Sequence, residues 1–305
     1  METRADGSRL LAGIPWERGK PDSVSTDVVR LLVAASLVES RGDSYGAYLS
    51  RVFFDEPEFI QAIRKWSREE DEHGVALSTW LVRSLPNFQF QVLLERYNSD
   101  LGLSYQNSTN ETSIRGSKAG ELLSRCAVES STSTYYKSVA DAVDDEPLKT
   151  ICLRLAHDEI GHYSLFRKKL DRLREAQRIS PLRLLYMSLH RLLELEDDQM
   201  SYAFYLACGA RGSYDRAYFS KALVTAAFGL YSDKRIAELV KLNVRAFGVS
   251  KSKLAAIIGH DRMIRTISSC LRFYMRSRVA YLTIQQIITV FYELIVTGRF
   301  ESRCC

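Results

Sequence analysis

The chain has 305 residues, 46% of them hydrophobic and 26% charged, with a formal net charge of +5. That is enough apolar material to bury a substantial core, as one large domain or two small ones, in an ordinary soluble globular protein. No apolar run reaches the roughly 18 residues of a membrane span, because the nearest, Val279 to Val296, is interrupted by Gln285, Gln286 and Glu293. The N-terminal stretch lacks the apolar centre of a signal peptide, so a cytoplasmic location is expected. The cysteines are scattered (Cys126, Cys152, Cys208, Cys270, Cys304, Cys305) with no C-x-x-C, and neither disulfides nor a zinc-thiolate site is expected. The charge is uneven: after Ser180 there are 18 Lys and Arg against 10 Asp and Glu. Such a basic part reads either as solvated helix faces or as a surface for an acidic partner.

Taken in order, residues 1–26 hold several Gly and Pro and no period, and read as an arm. From Asp27 the apolar spacing turns helical through Val28, Leu31, Leu32, Ala35 and Val38. This helix carries Glu39 and is expected to run on through Tyr45 and Tyr48 to about Phe53. Asp55-Glu56-Pro57 reads as the next start, with Asp55 capping and Pro57 in the first turn. That helix carries Glu70 and His73 and runs to about Leu85, before Pro86. Phe88 to Tyr97 stays helical, and 98–117 reads as a connecting loop. A helix over Lys118 to Val143 carries Glu129. Another opens at Asp145-Glu146-Pro147, carries Glu159 and His162, and reaches about Gln177. Ser180-Pro181 is a further start signal, followed by helical patterns at 181–208, 214–230, 232–247, 250–258 and 260–297. No strand pattern is evident, so the expected class is all-α.

A repeat organises this list. Val38-Glu39-Ser40 recurs as Val128-Glu129-Ser130, and Asp55-Glu56-Pro57 as Asp145-Glu146-Pro147, both offset by 90 residues. Glu70 and His73 recur as Glu159 and His162, offset by 89. Two duplicated helix pairs make a four-helix bundle. A lone Glu on each of two helices and a Glu-x-x-His on each of the others is the ligand set of di-iron and di-manganese carboxylate bundles. Three residues is nearly one helical turn, so each Glu and His leave the same face. Four carboxylates and two imidazoles suit two iron or manganese ions. Without metal, four inward carboxylates would repel one another and cost several kcal/mol each to desolvate. Asp158 and Glu69 each precede a candidate ligand Glu and can accept a hydrogen bond from the non-metal nitrogen of a ligand His. His157, His190 and His260 lack such partners.

These residues resemble the ferritin-like superfamily, and within it the soluble acyl-carrier-protein desaturases, over roughly residues 30–180. The family's E-E-x-x-H-G reads here as Glu69-Glu70-Asp71-Glu72-His73-Gly74. Its D-E-x-x-H reads as Asp158-Glu159-Ile160-Gly161-His162, and its E-x-x-T as Glu129-Ser130-Ser131-Thr132. The resemblance implies a ferritin-like bundle over residues 27–179; residues 180–305, which match no motif of the family, are expected from their helical patterns to be additional C-terminal helices packed on it. It also implies that Thr132 lies beside the oxygen-binding face. The family has Arg before each ligand His, where this chain has Glu72 and Gly161. A related branch, the arylamine N-oxygenases, has an additional metal His where this chain has Leu155.

The function so implied is an O2-activating non-haem di-iron enzyme, with manganese as an alternative metal, that desaturates or hydroxylates a carrier-bound or lipophilic substrate. The implied partners are a ferredoxin-like electron donor and an acidic acyl-carrier protein, with a homodimer as a further expectation. Tyr45, Tyr48, Tyr135 and Tyr136 lie near the ligand helices, as packing residues or as electron relays. The alternatives are a ferritin- or rubrerythrin-like iron-binding or peroxide-removing protein, a di-iron oxygenase acting on a different small molecule or on tRNA, the latter permitted by the basic region but required by nothing specific, and a purely helical interaction protein.

Overall fold

The computed structural model describes residues 9–100, 113–177, 198–210, 212–248, 259, 261–274 and 276–277, and among them every regular element is helical. Helix α1 (Thr26–Glu39) starts at Ser25, whose hydroxyl accepts from the Val28 amide. It is buried on nearly every side, through Val28, Leu31, Leu32, Val33, Ala34, Ala35 and Leu37, which places it at the centre of the molecule. The helix expected to continue to Phe53 instead breaks at Ser40–Arg41, and α2 (Gly42–Val52) starts afresh. Close approach to α3 (Pro57–Ser84) accounts for the break. A Cβ on Gly74 would lie 2.3 Å from Ser40 Oγ, and one on Gly42 would lie 2.2 Å from the Ser67 carbonyl. Neither approach tolerates a larger residue.

The two helix starts of the repeat also part ways. Asp145 is fully buried and caps α6 (Glu146–Gln177), accepting from the Leu148 amide at 2.8 Å, from Trp80 Nε1 and from the Lys20 amide. Asp55 does not cap α3. That helix has Glu56 at its N-cap with no side-chain capping bond, and Asp55 pairs with Lys118 instead. Helix α4 (Phe90–Asp100) follows α3. Helix α5 (Lys118–Ala142) is capped by Ser117 and joined to α6 through residues 143–145, so the two run back along each other in the most extensive pairing among the described elements.

Beyond α6, α7 (Asp198–Ala207) and α8 (Arg216–Phe228) pack on α1, and α9 (Asp233–Ala246) packs on α5. The α9 contact is fastened by Arg235, which forks onto Asp141, and by Asn243, whose Nδ2 donates to Ser130 Oγ. Residues 261–274 are helical. The expected helical stretches at 181–197, 250–258 and beyond 277, with His190, His260 and the Val279–Val296 run, lie outside the described residues. Among the described residues no helix is long and apolar enough to cross a membrane.

The N-terminal segment is more than a lead-in. Leu10, Ile14 and Val24 are buried in the core, and Arg154 on α6 donates to the carbonyls of Leu10 and Ala12. Apolar packing divides into two main masses. One joins α1, α7 and α8 to Ala76–Leu81, Tyr135–Val143 and Leu148–Ala156. The other joins α2 to Phe59–Trp66, Ala119–Cys126 and Tyr163–Leu170. Between them α3, α5 and α6 carry a polar layer, and Glu39 at the end of α1 reaches it.

Candidate metal centre

The layer gathers all six residues that the repeat singles out. Glu39, Glu70, His73 and Glu159 form one group, and Glu70, Glu129, Glu159 and His162 another. In each, one ligand atom per residue lies within 4.8 Å of all the others. Glu70 and Glu159 belong to both groups. The rings of His73 and His162 are stacked with centroids 5.5 Å apart, so the two groups lie side by side across four helices.

Both histidines present Nδ1 to the middle and Nε2 to the outside. His73 Nδ1 is 3.0 Å from Glu159 Oε1, and His162 Nδ1 is 3.0 Å from Glu70 Oε1. On the outer side the partners cross over. His73 on α3 faces Asp158 of α6, Nε2 to Oδ2 at 3.4 Å, and His162 on α6 faces Glu69 of α3, Nε2 to Oε2 at 3.2 Å. A carboxylate outside the ring holds the proton on Nε2 and leaves the Nδ1 lone pair pointing inward.

The inward atoms fit a cation. Glu70 Oε1, Glu129 Oε1, Glu159 Oε1, His73 Nδ1 and His162 Nδ1 are all buried, and none has a hydrogen-bond partner. The short distances between them do not have hydrogen-bonding geometry, so their lone pairs converge on shared space. Buried polar atoms are normally satisfied, and five orphans in one layer, all oxygen or imidazole nitrogen, make a donor set for hard or borderline divalent ions.

Electrostatics point the same way. In the metal-free protein burial and the charges of Glu159, Glu39 and Glu129 push Glu70 well above the usual carboxyl range. Burial pushes Glu129 up to about 8. Against burial, the imidazoles of His162 and His73 beside it hold Glu159 low. Both imidazoles are raised despite burial, His73 by Asp158, Glu159 and Glu39, and His162 by Glu129, Glu159, Glu69 and Glu70. The layer therefore collects protons where positive charge is otherwise missing.

Outside this set, Asp158 is held at about 2, against burial, by His73 and Arg9. Glu69 is held at about 2 by His162, against burial and with help from Lys65. Thr132 Oγ1 lies 2.8 Å from Glu159 Oε2 and within 3.2 Å of the Val128 and Glu129 carbonyls. Of the four tyrosines, Tyr136 is bonded to a residue of the cluster, donating to Glu39 Oε1 at 2.5 Å. The Tyr135 ring lies against it at a tilt, whereas Tyr45 bonds Gln199 and Tyr48 bonds Glu121. His157 is exposed, and Leu155 is buried in the apolar core.

Two contacts were not read from the sequence. Lys65 lies 2.9 Å from Glu69 at the i,i+4 spacing that favours such pairs, so the spacing could have disclosed it. Arg9 forks onto Asp158 from a segment without periodicity, and no sequence signal marks it. No family model and no curated protein matches the chain, so the reading of this site rests on its geometry and chemistry.

Proposed function

We propose that the chain is a ferritin-like, O2-activating non-haem di-iron oxidoreductase, related to the soluble acyl-carrier-protein desaturases, with Glu39, Glu70, His73, Glu129, Glu159 and His162 as its metal ligands. The observation that carries this reading is the pair of ligand groups sharing Glu70 and Glu159. A site for one ion needs four donors, and two overlapping sets with two common carboxylates suit a bridged pair. Bound there, two iron ions would supply the redox chemistry for O2 reduction and attack on a C–H bond.

The chain's own residues have separable tasks. Glu70 and Glu159, common to both groups, would help to hold both ions. Glu39 and Glu129 would each help to hold one, and Tyr136 fixes the orientation of Glu39 through Oε1. Asp158 and Glu69 hold the protons on the outer histidine nitrogens. Thr132 donates to Glu159 Oε2, and so can hold a proton at the edge of the ligand set. The two apolar masses on either side keep bulk water from the layer.

The substrate expected from the resemblance is an acyl group on an acidic carrier protein or a small lipophilic molecule. The positive balance after Ser180 suits an acidic carrier. Electrons come from an external ferredoxin-like donor, since the free cysteines among the described residues form no cluster-binding set.

The deciding experiment is anaerobic loading with Fe(II) followed by O2. An oxygenase retains two irons per chain through repeated cycles of reductant and O2 and yields oxidised substrate from acyl-carrier or lipophilic candidates. A protein of the ferritin kind takes up further iron and grows a mineral instead. Failure to retain iron at all would end the di-iron reading.

A further inference from the structure

One cation lies across the outer side of the centre. Arg9 donates from Nη1 to Asp158 Oδ1 at 3.0 Å and from Nη2 to Asp158 Oδ2 at 2.5 Å, and Nη2 is 3.7 Å from Glu69 Oε1. Asp158 Oδ2 is the same oxygen that faces His73, and the other Glu69 oxygen faces His162. A single guanidinium thus touches the outer carboxylates of both histidines, one on α6 and one on α3. We propose that Arg9 is a positioning residue for the metal centre, a clamp carried on the N-terminal segment that fixes the carboxylate behind His73 and steadies the one behind His162.

The clamp rests on the two-ion reading of the layer, and its geometry supports it in three ways. The contact to Asp158 is two-pronged, which sets the plane of the carboxylate as well as its charge. A carboxylate held in plane keeps the imidazole beside it in one orientation and one tautomer. The backbone that delivers Arg9 is itself anchored: Leu10 and Ile14 are buried, and Arg154 grips the carbonyls of Leu10 and Ala12. The two sides are also unequal. Glu69 has Lys65 at 2.9 Å as a second cation, while Arg9 supplies the two-pronged contact to Asp158. Loss of Arg9 should therefore act on the His73 side and largely spare the His162 side.

The Arg9 side chain is 54% exposed, so water screens the pair and the expected effect is modest. Arg9→Gln should weaken the ion on the His73 side by about three-fold. Asp158→Asn, which removes the acceptor itself, should weaken it by roughly 10- to 100-fold.

The test is calorimetric titration of the full-length, metal-free protein with Mn(II), with the absorption spectrum of the Co(II)-loaded protein as a second readout of ligand geometry. The proposal expects two binding steps in the wild type, one of them weakened in Arg9→Gln and partly restored in Arg9→Lys, with an altered Co(II) spectrum in Arg9→Gln alone. Arg154→Gln loosens the same backbone without touching Asp158, and it should leave both steps and the spectrum nearly unchanged. If Arg154→Gln matches Arg9→Gln, the effect belongs to segment docking and the clamp is overturned. If Arg9→Gln titrates like the wild type while Asp158→Asn is weakened, the clamp is overturned and the metal centre stands. If the wild type binds no ion, both fall together.

Discussion

The first half of the polar layer, on α1 and α3, and the second, on α5 and α6, carry the same three-residue inventory of two glutamates and a histidine and surround it differently. Helix α1 ends on Glu39, whereas α5 runs thirteen residues past Glu129. Ninety positions before Thr132 and Tyr136, the first half has Gly42 and Gly46. There α2 lies so close to α3 that a Cβ on either glycine would meet Ser67 within 2.6 Å. Thus Thr132 and Tyr136, which bond Glu159 and Glu39, have no counterparts in the first half, and the second half serves both. The helix starts diverge as well, Asp145 into the core and Asp55 to the surface. What the two halves share is what points inward. A duplicated pair is free to change its exterior and its second layer of contacts, while the donors that must meet at one place are not.

The largest effects should separate shared from private carboxylates. Glu70→Ala and Glu159→Ala each remove an oxygen donor from both ligand groups and should leave desalted protein with no bound metal. Glu39→Ala and Glu129→Ala should each retain about one ion per chain, by elemental analysis. Equal loss in all four would mean that the halves act as a single cooperative site and that the division drawn here is false.

A smaller effect concerns the metal-free protein. Burial raises Glu70 and holds Glu129 near 8, so both bind protons more tightly folded than unfolded, where a carboxyl titrates near 4.5. For a group raised in this way, the stabilising contribution is complete below the unfolded value and is lost as pH rises through the folded one. The raised imidazoles act in the same direction. Glu159, held low, contributes above the ordinary carboxyl range and loses that contribution on acidification. Metal-free protein should therefore lose thermal stability from about pH 6 to pH 9, while metal binding strengthens over the same range as protons leave the ligands. Glu70→Gln replaces a buried carboxyl, whose charged form burial disfavours, with a neutral isostere, and should make the fall in metal-free stability with rising pH shallower while weakening the loaded form. A flat melting profile between pH 6 and 9 would show that the layer is hydrated rather than dry.

Much of this was legible in the chain itself. The bounds of α5 and α6, and the meeting of Glu39, Glu70, His73, Glu129, Glu159 and His162, follow from apolar period, start signals and a repeat that only an inward face explains. The outer carboxylates were readable too, because Asp158 and Glu69 sit one residue before the two glutamates common to both groups. What could not be read depends on close approach between helices. The break after Glu39 comes from contact between Ser40 and Gly74, residues far apart in sequence. The Arg9 clamp comes from a segment without periodicity, and the burial of Asp145 depends on Trp80 and the Lys20 amide arriving from elsewhere. Periodicity reports which face is buried, not which distant side chain will lie against it.

The smallest change puts the asymmetry of the halves to use. Thr132→Val keeps shape and β-branching and removes only the hydroxyl. The lost bond to Glu159 should cost about 0.5–1.5 kcal/mol at most, and metal content should stay at the wild-type value, since Thr132 is in neither ligand group. If the hydroxyl serves only the fold, turnover with O2 should hardly change, because the remaining contacts of α5 and α6 are intact. If it holds a proton beside the reacting atoms, Thr132→Val should lower product formed per O2 consumed, and Thr132→Ser should restore it. With Gly42 at the matching place, the first half has no hydroxyl to substitute. Unchanged coupling in Thr132→Val would therefore assign this departure from symmetry to packing alone, and a loss of coupling would mark the α5–α6 side as the one where oxygen reacts.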